Sequence, residues 1–291
     1  MDSTPKTIGL IGGTGKMGQL FARLFAAEGH PVLVAGRRTE LTYEALVTQA
    51  DVVIVTVTID DTVEVIRRIG PLLRPHQLLS DFTSVKQDPV QAMLATPACV
   101  IGCHPIFGPT THPAGQNVVL CPQRPGPWLD WYAGFFRRQG MKVSQMTPLE
   151  HDQAMAVVQG LTHFINIGFA RTLQTQQVNL EQVLAVCSPV YRVAFAILSR
   201  ILSGDPALYG QIQLSNRENF PVVKAFVDNS QEILTQVGSG DGAGFNRLFL
   251  EAADYLGDYL AVARQESDLL IEHMRKHLEA AAHTTTPPKK N

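Results

Sequence analysis

The sequence lacks a long apolar run and has no strong excess of charge of either sign. No stretch of about 18 uninterrupted apolar residues occurs, so we predict no membrane-spanning helix. Lysine and arginine number 24 against 26 aspartate and glutamate residues, and the net charge is −2. Nucleic acid and anionic membranes are therefore poor candidates as partners. Residues 1–6 are polar, and we expect no signal peptide.

Cysteine is scarce as well, with four in the whole chain. Cys99 and Cys103 have the spacing CxxxC, but they lie in an apolar, strand-like stretch without a second pair of metal ligands. We interpret these two residues, Cys121 and Cys187 as buried thiols of a reducing cytoplasm. We predict no metal site.

The first half of the chain alternates short apolar runs with amphipathic stretches. The runs predict seven strands, at residues 7–11, 31–35, 51–57, 77–81, 99–103, 117–121 and 141–144. Helical periodicity occurs between them, at residues 19–28, 62–73, 89–95 and 128–139. This alternation predicts an α/β Rossmann-type doubly wound parallel sheet.

The alternation stops near residue 147, and helical periodicity dominates the remainder. We predict a dinucleotide-binding Rossmann domain at residues 1–147 and an all-α C-terminal domain for substrate binding and dimerisation at 148–280. The polar, proline-containing residues 281–291 are predicted to be a disordered tail. Apolar faces at residues 182–202 and 243–274 exceed what one Rossmann domain would cover, so we predict a homodimer through the helical domain.

Residues 13–18 (GTGKMG) fit the pattern GxGxxG between a predicted strand and a predicted helix. Gly13 is expected to form the tight turn, Gly15 to admit the pyrophosphate of a dinucleotide, and Gly18 to let helix and strand pack closely. A glycine-rich turn without a ligand is the alternative. The predicted cofactor contacts here and after the third strand are Gly13, Gly15, Lys16, Met17, Gly18 and Thr58.

The end of the second strand bears on the choice between NAD and NADP. NAD enzymes usually carry an acidic residue there, which binds the ribose hydroxyls. This chain instead carries Arg37 and Arg38, and arginine pairs well with a 2′-phosphate. We predict NADP as the cofactor. NAD remains the alternative, with the two arginines as ordinary surface charges and Glu40 bound to the ribose.

His104 is the strongest catalytic candidate. It ends the fifth predicted strand and enters a loop that contains Pro105 and Pro109. Ligands of open α/β sheets bind beyond the carboxyl ends of the strands, and imidazole accepts a proton near neutral pH. A lone histidine is more often structural, but this position, beside the nicotinamide end of the cleft, favours a catalytic role.

Five segments together resemble the prephenate dehydrogenases of tyrosine biosynthesis. They read GGTGKMG, DFTSVK, GCHPIFGP, EHDQAMAVVQGLTHF and SPVYR. The resemblance covers residues 7–275 and is strongest to the dehydrogenase part of bifunctional chorismate mutase/prephenate dehydrogenases. It implies oxidative decarboxylation of prephenate to 4-hydroxyphenylpyruvate, with hydride transfer to NAD(P)⁺. No mutase segment precedes residue 7 and no regulatory domain follows the helices, so we expect a monofunctional member.

The resemblance also implies roles for individual residues. His104 matches the family's histidine and would accept the proton of the ring hydroxyl. Ser84 matches the serine of an SVK motif and would hydrogen-bond that hydroxyl or His104, although it is also placed to cap a helix. His151 lies at the start of the predicted helical domain. It is interpreted as a pocket residue, a capping residue or a domain-interface residue.

Cations are needed for a dianionic substrate, and the resemblance implies Arg192 and Arg200 for this task. Burying the charge of an arginine on an apolar helix is costly in free energy unless the charge is paired. This favours a functional role for both arginines, and more strongly for Arg200. His163 is expected to line the pocket. The relatives carry arginine where this chain has Thr162, so arogenate and 4-amino-4-deoxyprephenate remain alternative substrates.

Two other functions compete with this interpretation. A β-hydroxyacid dehydrogenase or imine reductase of the same layout would use a lysine in the helical domain. Lys224 is the only lysine between Gln145 and Lys276, and it is not a convincing candidate. A non-catalytic NADP-binding sensor is the alternative from another class, but it leaves Arg192 and Arg200 unexplained.

Overall fold

The computed structural model describes residues 4–284. They form two compact units. One contains the described residues up to Gly160 together with Ala207–Phe220, and the other contains Leu161–Pro206 and the described residues from Pro221 on. Within the described part of the chain, no helix is long and apolar enough to cross a membrane.

The first unit is built on a seven-stranded sheet in the order β2-β1-β3-β4-β5-β6-β7. The strands are β1 Ile8–Ile11, β2 Val32–Ala35, β3 Val52–Val55, β4 Leu78–Asp81, β5 Cys99–Pro105, β6 Asn117–Arg124 and β7 Lys142–Gln145. All neighbouring pairs are parallel except β5 and β6. The predicted Rossmann-type sheet and its seven strands are confirmed.

The antiparallel pair is a departure from the fully parallel sheet that was predicted. Residues 106–116 join β5 to β6 and contain no helix. A parallel pair would need a crossover of about a dozen residues or more, usually built around a helix. The chain therefore returns directly beside β5 in the opposite direction.

Thirteen α-helices lie in the described residues. They are α1 Lys16–Ala27, α2 Tyr43–Gln49, α3 Ile59–Ile69, α4 Gln87–Leu94, α5 Leu129–Arg138, α6 Pro148–Met155, α7 Thr162–Thr175, α8 Leu180–Val186, α9 Pro189–Leu202, α10 Pro206–Ser215, α11 Asn219–Ser239, α12 Gly242–Leu256 and α13 Tyr259–Thr284. Helix α2, whose N-cap is Thr42, was not predicted from the sequence.

Alternating side chains of the central strands build two separate apolar clusters. Ile8 and Leu10 of β1 belong to one cluster with Phe21 and Phe25 of α1, whereas Ile11 belongs to the other with Leu46 of α2. Successive residues of a strand point to opposite faces of the sheet. Helices therefore cover both faces of the sheet, and the central strands read as continuous apolar runs for this reason.

The chain leaves the sheet-containing unit later than residue 147. A π-helical segment, Ala156–Leu161, joins α6 to α7, and the change of unit falls after Gly160. Residues of the segment Ala207–Phe220 then return to the first unit through an ion pair of Arg217 with Asp88 and a hydrogen bond of Gln211 to Asp60. Helical periodicity marks where the secondary structure changes, but not which helices pack on the sheet.

Two smaller expectations also differ from the structure. Cys99, Cys103 and Cys121 are buried free thiols as predicted, but Cys187 is only half-buried, because it lies at the end of the short helix α8. Of the predicted tail, residues 281–284 continue helix α13, and the rest lies outside the described residues.

Candidate active site

The glycine-rich loop connects β1 to α1, and Gly12 makes its sharp turn. Gly12 has a φ of +83°, a backbone conformation that favours glycine. The prediction that Gly13 forms this turn is wrong. A Cβ on Gly13 would lie 2.9 Å from Cβ of Leu10 and from Cγ1 of Val34, so Gly13 is required for packing.

The start of α1 suits the pyrophosphate of a dinucleotide. The N-cap is Gly15, and no side chain caps the helix, which leaves the first amides of α1 available to an anion. A Cβ on Gly18 would lie 2.5 Å from Cα of Gly13, so this glycine permits the close approach of α1 to the loop that follows β1. Lys16 is exposed, and Met17 packs against the core. These residues fit the predicted cofactor.

Two further predicted cofactor positions lie at strand ends. Thr58 is the N-cap of α3, and its hydroxyl donates to Oδ2 of Asp61 at 2.6 Å. Arg37 and Arg38 follow β2 and are exposed, and neither forms an ion pair within residues 4–284. A Cβ on Gly36 would lie 2.8 Å from Oγ1 of Thr14, so the arginine turn lies directly beside the glycine-rich loop.

His104 lies near the carboxyl end of β5 and is 3% exposed. Its Nδ1 is 2.9 Å from Nε2 of His151, and the two rings meet edge to face with centroids 5.1 Å apart. His151 lies on α6 and is completely buried. The structure thus gives the predicted base a buried imidazole partner, and His151 does not cap α6, because the N-cap of that helix is Thr147.

A carboxylate completes this arrangement. Nδ1 of His151 is 2.7 Å from Oδ1 of Asp152. The two carboxylate oxygens of Asp152 also accept the backbone amides of Lys86 and Gln87, at 2.8 and 2.9 Å. Asp152 therefore caps the start of α4, where a negative charge is favoured by the helix dipole. We name the side chains of His104, His151 and Asp152 the relay.

A buried ion pair lies beside the relay. Lys86 and Asp81 form it with both side chains inaccessible to solvent. The ammonium of Lys86 also donates to Oγ1 of Thr83 at 3.2 Å and to the carbonyl of Cys103 at 3.0 Å. Because Cys103 precedes His104, this pair ties the end of β4 to the strand that carries the base.

Burial and neighbouring charges set the protonation of the relay. Burial lowers the pKa of His104 well below 6.5, and His151 and Lys86 lower it further. Burial also lowers the pKa of His151, although its hydrogen bond to Asp152 opposes this. Burial raises the pKa of Asp152, but hydrogen bonds from His151 and from the amides of Gln87 and Lys86 outweigh it and leave the pKa lowered. Both imidazoles are therefore neutral at pH 7, and the carboxylate is ionised.

Ser84 is half-buried in the loop between β4 and α4. Its side chain makes no hydrogen bond to any residue of the described range, so the expected contact with His104 is absent. Nδ1 of His104 is occupied by His151 instead. The expectation that Ser84 caps α4 is also wrong, because the N-cap is Lys86 and the cap is supplied by Asp152.

The other predicted substrate residues belong to the helical unit. Thr162 and His163 begin α7, and burial lowers the pKa of His163. Arg192 and Arg200 lie on α9 as expected. Arg192 is half-buried, and its Nε is buried without a hydrogen bond in the described structure, whereas Arg200 is exposed.

Three residues of this arrangement were not predicted from the sequence, namely Asp152, Asp81 and Lys86. The partners of Asp152 on α4 are 65 and 66 residues away in the chain, so no local pattern connects them. Asp81 and Lys86 begin and end the DFTSVK segment, but that segment alone does not show that the two side chains form a buried pair. The local signal for Asp152 was its position next to His151 on a predicted helix.

Comparison with known proteins assigns the chain to a family. Residues 33–145 match the model described as prephenate dehydrogenase, nucleotide-binding domain, and residues 147–251 match prephenate dehydrogenase, dimerization domain. The first match ends at residue 145, and the second begins at residue 147.

Individual relatives agree with this. The T-protein of Haemophilus influenzae is 36% identical over 265 residues, which cover 90% of this chain and 70% of the relative. A probable arogenate/prephenate dehydrogenase of Methanocaldococcus jannaschii is 33% identical, over 96% of this chain and 67% of the relative. The crystal structure of prephenate dehydrogenase from A. aeolicus with hydroxyphenyl propionate and NAD⁺ has a TM-score of 0.71 at 19% identity and covers 91% of this chain and 99% of that one, which supports the fold. The resemblance drawn from the motifs is confirmed, and the chain belongs to the prephenate dehydrogenase family of nicotinamide-dependent oxidoreductases.

Proposed function

We propose that the chain catalyses the oxidative decarboxylation of prephenate to 4-hydroxyphenylpyruvate, with NADP⁺ as hydride acceptor. The observation that carries this is His104, a neutral buried histidine near the carboxyl end of β5, in the unit that holds the dinucleotide loop. In this type of sheet, ligands bind beyond the carboxyl ends of the strands. Family membership supplies the reaction class.

The bound nicotinamide supplies the acceptor for the hydride of the ring carbon that bears the hydroxyl. Nε2 of His104 takes the hydroxyl proton as that hydride leaves, so that a carbonyl forms on the ring. The ring carboxylate then departs as CO₂, and its electron pair makes the ring aromatic. His104 returns the proton to the ring oxygen, which yields the phenol. No proton is gained or lost overall, and the neutral imidazole of His104 has a free lone pair for this temporary task.

The two carboxylates of the substrate need cationic partners. We assign the two carboxylates to Arg192 and Arg200. Nε of Arg192 is buried without a hydrogen bond in the described structure, a costly state that an anionic ligand would relieve. His163 and Thr162, at the start of α7, are assigned to substrate binding as well. Ser84 is assigned to the ring hydroxyl, because its own hydroxyl is not used elsewhere in the described residues.

The cofactor preference rests on Arg37 and Arg38. Both are exposed beside the glycine-rich loop, without an acidic partner in the described structure. A 2′-phosphate would pair with either guanidinium, and NAD lacks this group. Glu40 is exposed in the same turn and is the residue that would serve NAD instead.

The helical unit is assigned to homodimer formation. It carries many exposed apolar side chains, among them Tyr191, Phe249, Tyr255 and Leu269. Exposed apolar surface of this extent marks interaction sites, and the family model of this region is described as a dimerization domain. Light scattering after size-exclusion chromatography is expected to give twice the mass of the chain, and a monomer would contradict the assignment.

Purified protein tests the activity directly. Prephenate, arogenate and 4-amino-4-deoxyprephenate are each supplied with NADP⁺ or NAD⁺, and reduction of the nicotinamide is followed by absorbance. We expect the fastest reduction with prephenate and NADP⁺. Reduction only with arogenate or 4-amino-4-deoxyprephenate would identify that compound as the substrate. Thr162→Arg would then be the next variant to test. If the protein binds the cofactor but reduces it with none of the three substrates, the result would support a non-catalytic NADP-binding sensor instead.

A further inference from the structure

We propose that His151 and Asp152 are positioning residues that fix the tautomer of His104, so that its Nε2 always presents a lone pair to the substrate. The inference deepens the proposed function and rests on it for its kinetic test. It assigns a role to the two relay members that do not contact the reacting atoms.

Hydrogen bonding along the relay allows one arrangement of protons. An ionised carboxylate only accepts hydrogen bonds, so Nδ1 of His151 must carry the hydrogen that points to Oδ1 of Asp152. A neutral imidazole has one N–H, which leaves Nε2 of His151 as an acceptor. Nδ1 of His104, 2.9 Å away, must therefore be the donor, and Nε2 of His104 is left unprotonated.

The carboxylate of Asp152 is held in place by further hydrogen bonds. The donor-to-acceptor direction of the hydrogen bonds in the relay is therefore fixed. Its two oxygens accept the amides of Lys86 and Gln87 at the start of α4. The backbone carbonyl of Asp152 accepts Nδ2 of Asn216 at 2.7 Å, and Asn216 is buried. Rotation of the carboxylate would break two charge-assisted hydrogen bonds, so the acceptor that sets the tautomer does not turn away.

Burial favours the neutral form of both imidazoles, and the neighbouring charges add to this effect for His104 but act in both directions on His151. The ammonium of Lys86 lowers the pKa of His104 and of His151, whereas Asp152 and Asp81 raise that of His151. Lys86 is bound to Asp81, so its charge is partly compensated. The thiols of Cys103 and Cys121 lie close by, and burial raises the pKa of both, so they stay neutral. When His104 accepts the substrate's proton, Asp152 is the uncompensated negative charge at the far end of the relay.

A purely structural role is the competing explanation, since two buried imidazoles need hydrogen bonds in any case. Three variants separate the two. In His151→Gln the amide oxygen can accept from Nδ1 of His104 while its NH₂ donates to Asp152, which keeps the tautomer. His151→Leu removes both bonds. Asp152→Asn replaces the obligate acceptor by a group that can also donate, so the tautomer is no longer imposed.

Kinetics with prephenate give the first readout. We expect kcat to fall by roughly 10²-fold in His151→Leu and Asp152→Asn, with little change in KM for NADP⁺, because proton transfer in the transition state is impaired. His151→Gln should restore kcat to within about 10-fold of the unmodified protein. His277→Gln, an exposed histidine on α13, is the control and should behave as the unmodified protein. Equal losses in His151→Gln and His151→Leu would overturn the proposal.

Nitrogen-15 NMR of histidine-labelled protein gives a second readout that needs no substrate. The His104 signal, identified by its loss in His104→Asn, should show the Nδ1–H tautomer in the unmodified protein and in His151→Gln. It should show the other tautomer or a mixture in Asp152→Asn. An Nε2–H tautomer in the unmodified protein would refute the inference even if turnover is normal. The expected tautomers without any turnover would refute the proposed function alone.

Discussion

Lys86 and Asp81 form an ion pair from which solvent is completely excluded, at the carboxyl end of β4. The pair also holds the carbonyl of Cys103 on β5, one residue before the proposed base. Burying two charges is expensive, and mutual attraction with additional hydrogen bonds offsets that cost only while both partners are present. The site therefore depends on a pair that contributes to both stability and electrostatics.

Lys86→Met should remove one partner and leave the carboxylate of Asp81 buried alone. We expect a loss of about 3–5 kcal/mol in the free energy of unfolding, measured with urea. Arg217→Met is the matched control, because its ion pair with Asp88 is exposed and should contribute only about 0–1 kcal/mol. In the folded fraction, the acid limb of kcat/KM should move to higher pH, since Lys86 lowers the pKa of His104. Equal losses in the two variants would contradict the buried-pair argument.

His104→Asn should abolish the base while keeping a polar side chain of similar reach. We expect kcat to fall by roughly 10²-fold or more. The affinity for NADP⁺ should be unchanged, because the glycine-rich loop and α1 are not altered, and fluorescence titration measures it. An unchanged kcat would remove His104 from the mechanism.

The buried histidines should make the protein sensitive to mild acid. The pKa values of His104 and His151 are lowered from 6.5 in the folded protein, so the unfolded chain binds protons that the native state does not. Their contribution is complete above about pH 6.5 and is lost as the pH falls toward the folded pKa values. Each group contributes a slope of about 1.4 kcal/mol per pH unit in that window.

Urea unfolding between about pH 7 and pH 5 measures this slope. His104→Gln should flatten it, because one titrating group is removed. The exposed His277→Gln should leave it unchanged. A slope that is the same in all three proteins would show that other groups bind the protons.

Much of the sheet could be predicted from sequence because buried parallel strands are short apolar runs between turn residues. His104 could be predicted too, since a strand end followed by prolines is visible locally. The sequence could not show that Gly12 rather than Gly13 forms the turn, because residues 12–15 read GGTG. Only the positive φ angle of Gly12 distinguishes the two adjacent glycines. Asp152 and Lys86 act through contacts made in the folded state, and nothing in their neighbouring residues indicates burial.

Gly160 should tolerate no side chain. It lies in the π-helical segment, and a Cβ there would be 2.4 Å from Oδ1 of Asn219, a buried residue whose Nδ2 donates to the carbonyls of Ile212 and Gln213. Gly160→Ala is expected to cost about 1–3 kcal/mol in the free energy of unfolding, because the Asn219 bonds must shift. Gly168→Ala on α7 is the control. Nothing lies within 4 Å of its added Cβ, so it should stabilise by up to about 1 kcal/mol through helix propensity. Similar destabilisation by both would indicate a general helix effect.

Arg37 and Arg38 should decide the cofactor, and serine variants separate the two residues. Each hydrogen-bonded charge pair with a 2′-phosphate contributes about 1.5–3 kcal/mol, so removing the arginine that binds it should raise KM for NADP⁺ by roughly 10- to 100-fold. KM for NAD⁺ should not change, because NAD⁺ has no phosphate at that position. Arg67→Ser, an exposed arginine on α3, controls for the loss of one positive surface charge. An equal rise in KM for both cofactors in Arg37→Ser and Arg38→Ser would mean that the arginines support the turn itself. If the unmodified protein prefers NAD⁺, Glu40 rather than an arginine would be the residue that contacts the ribose.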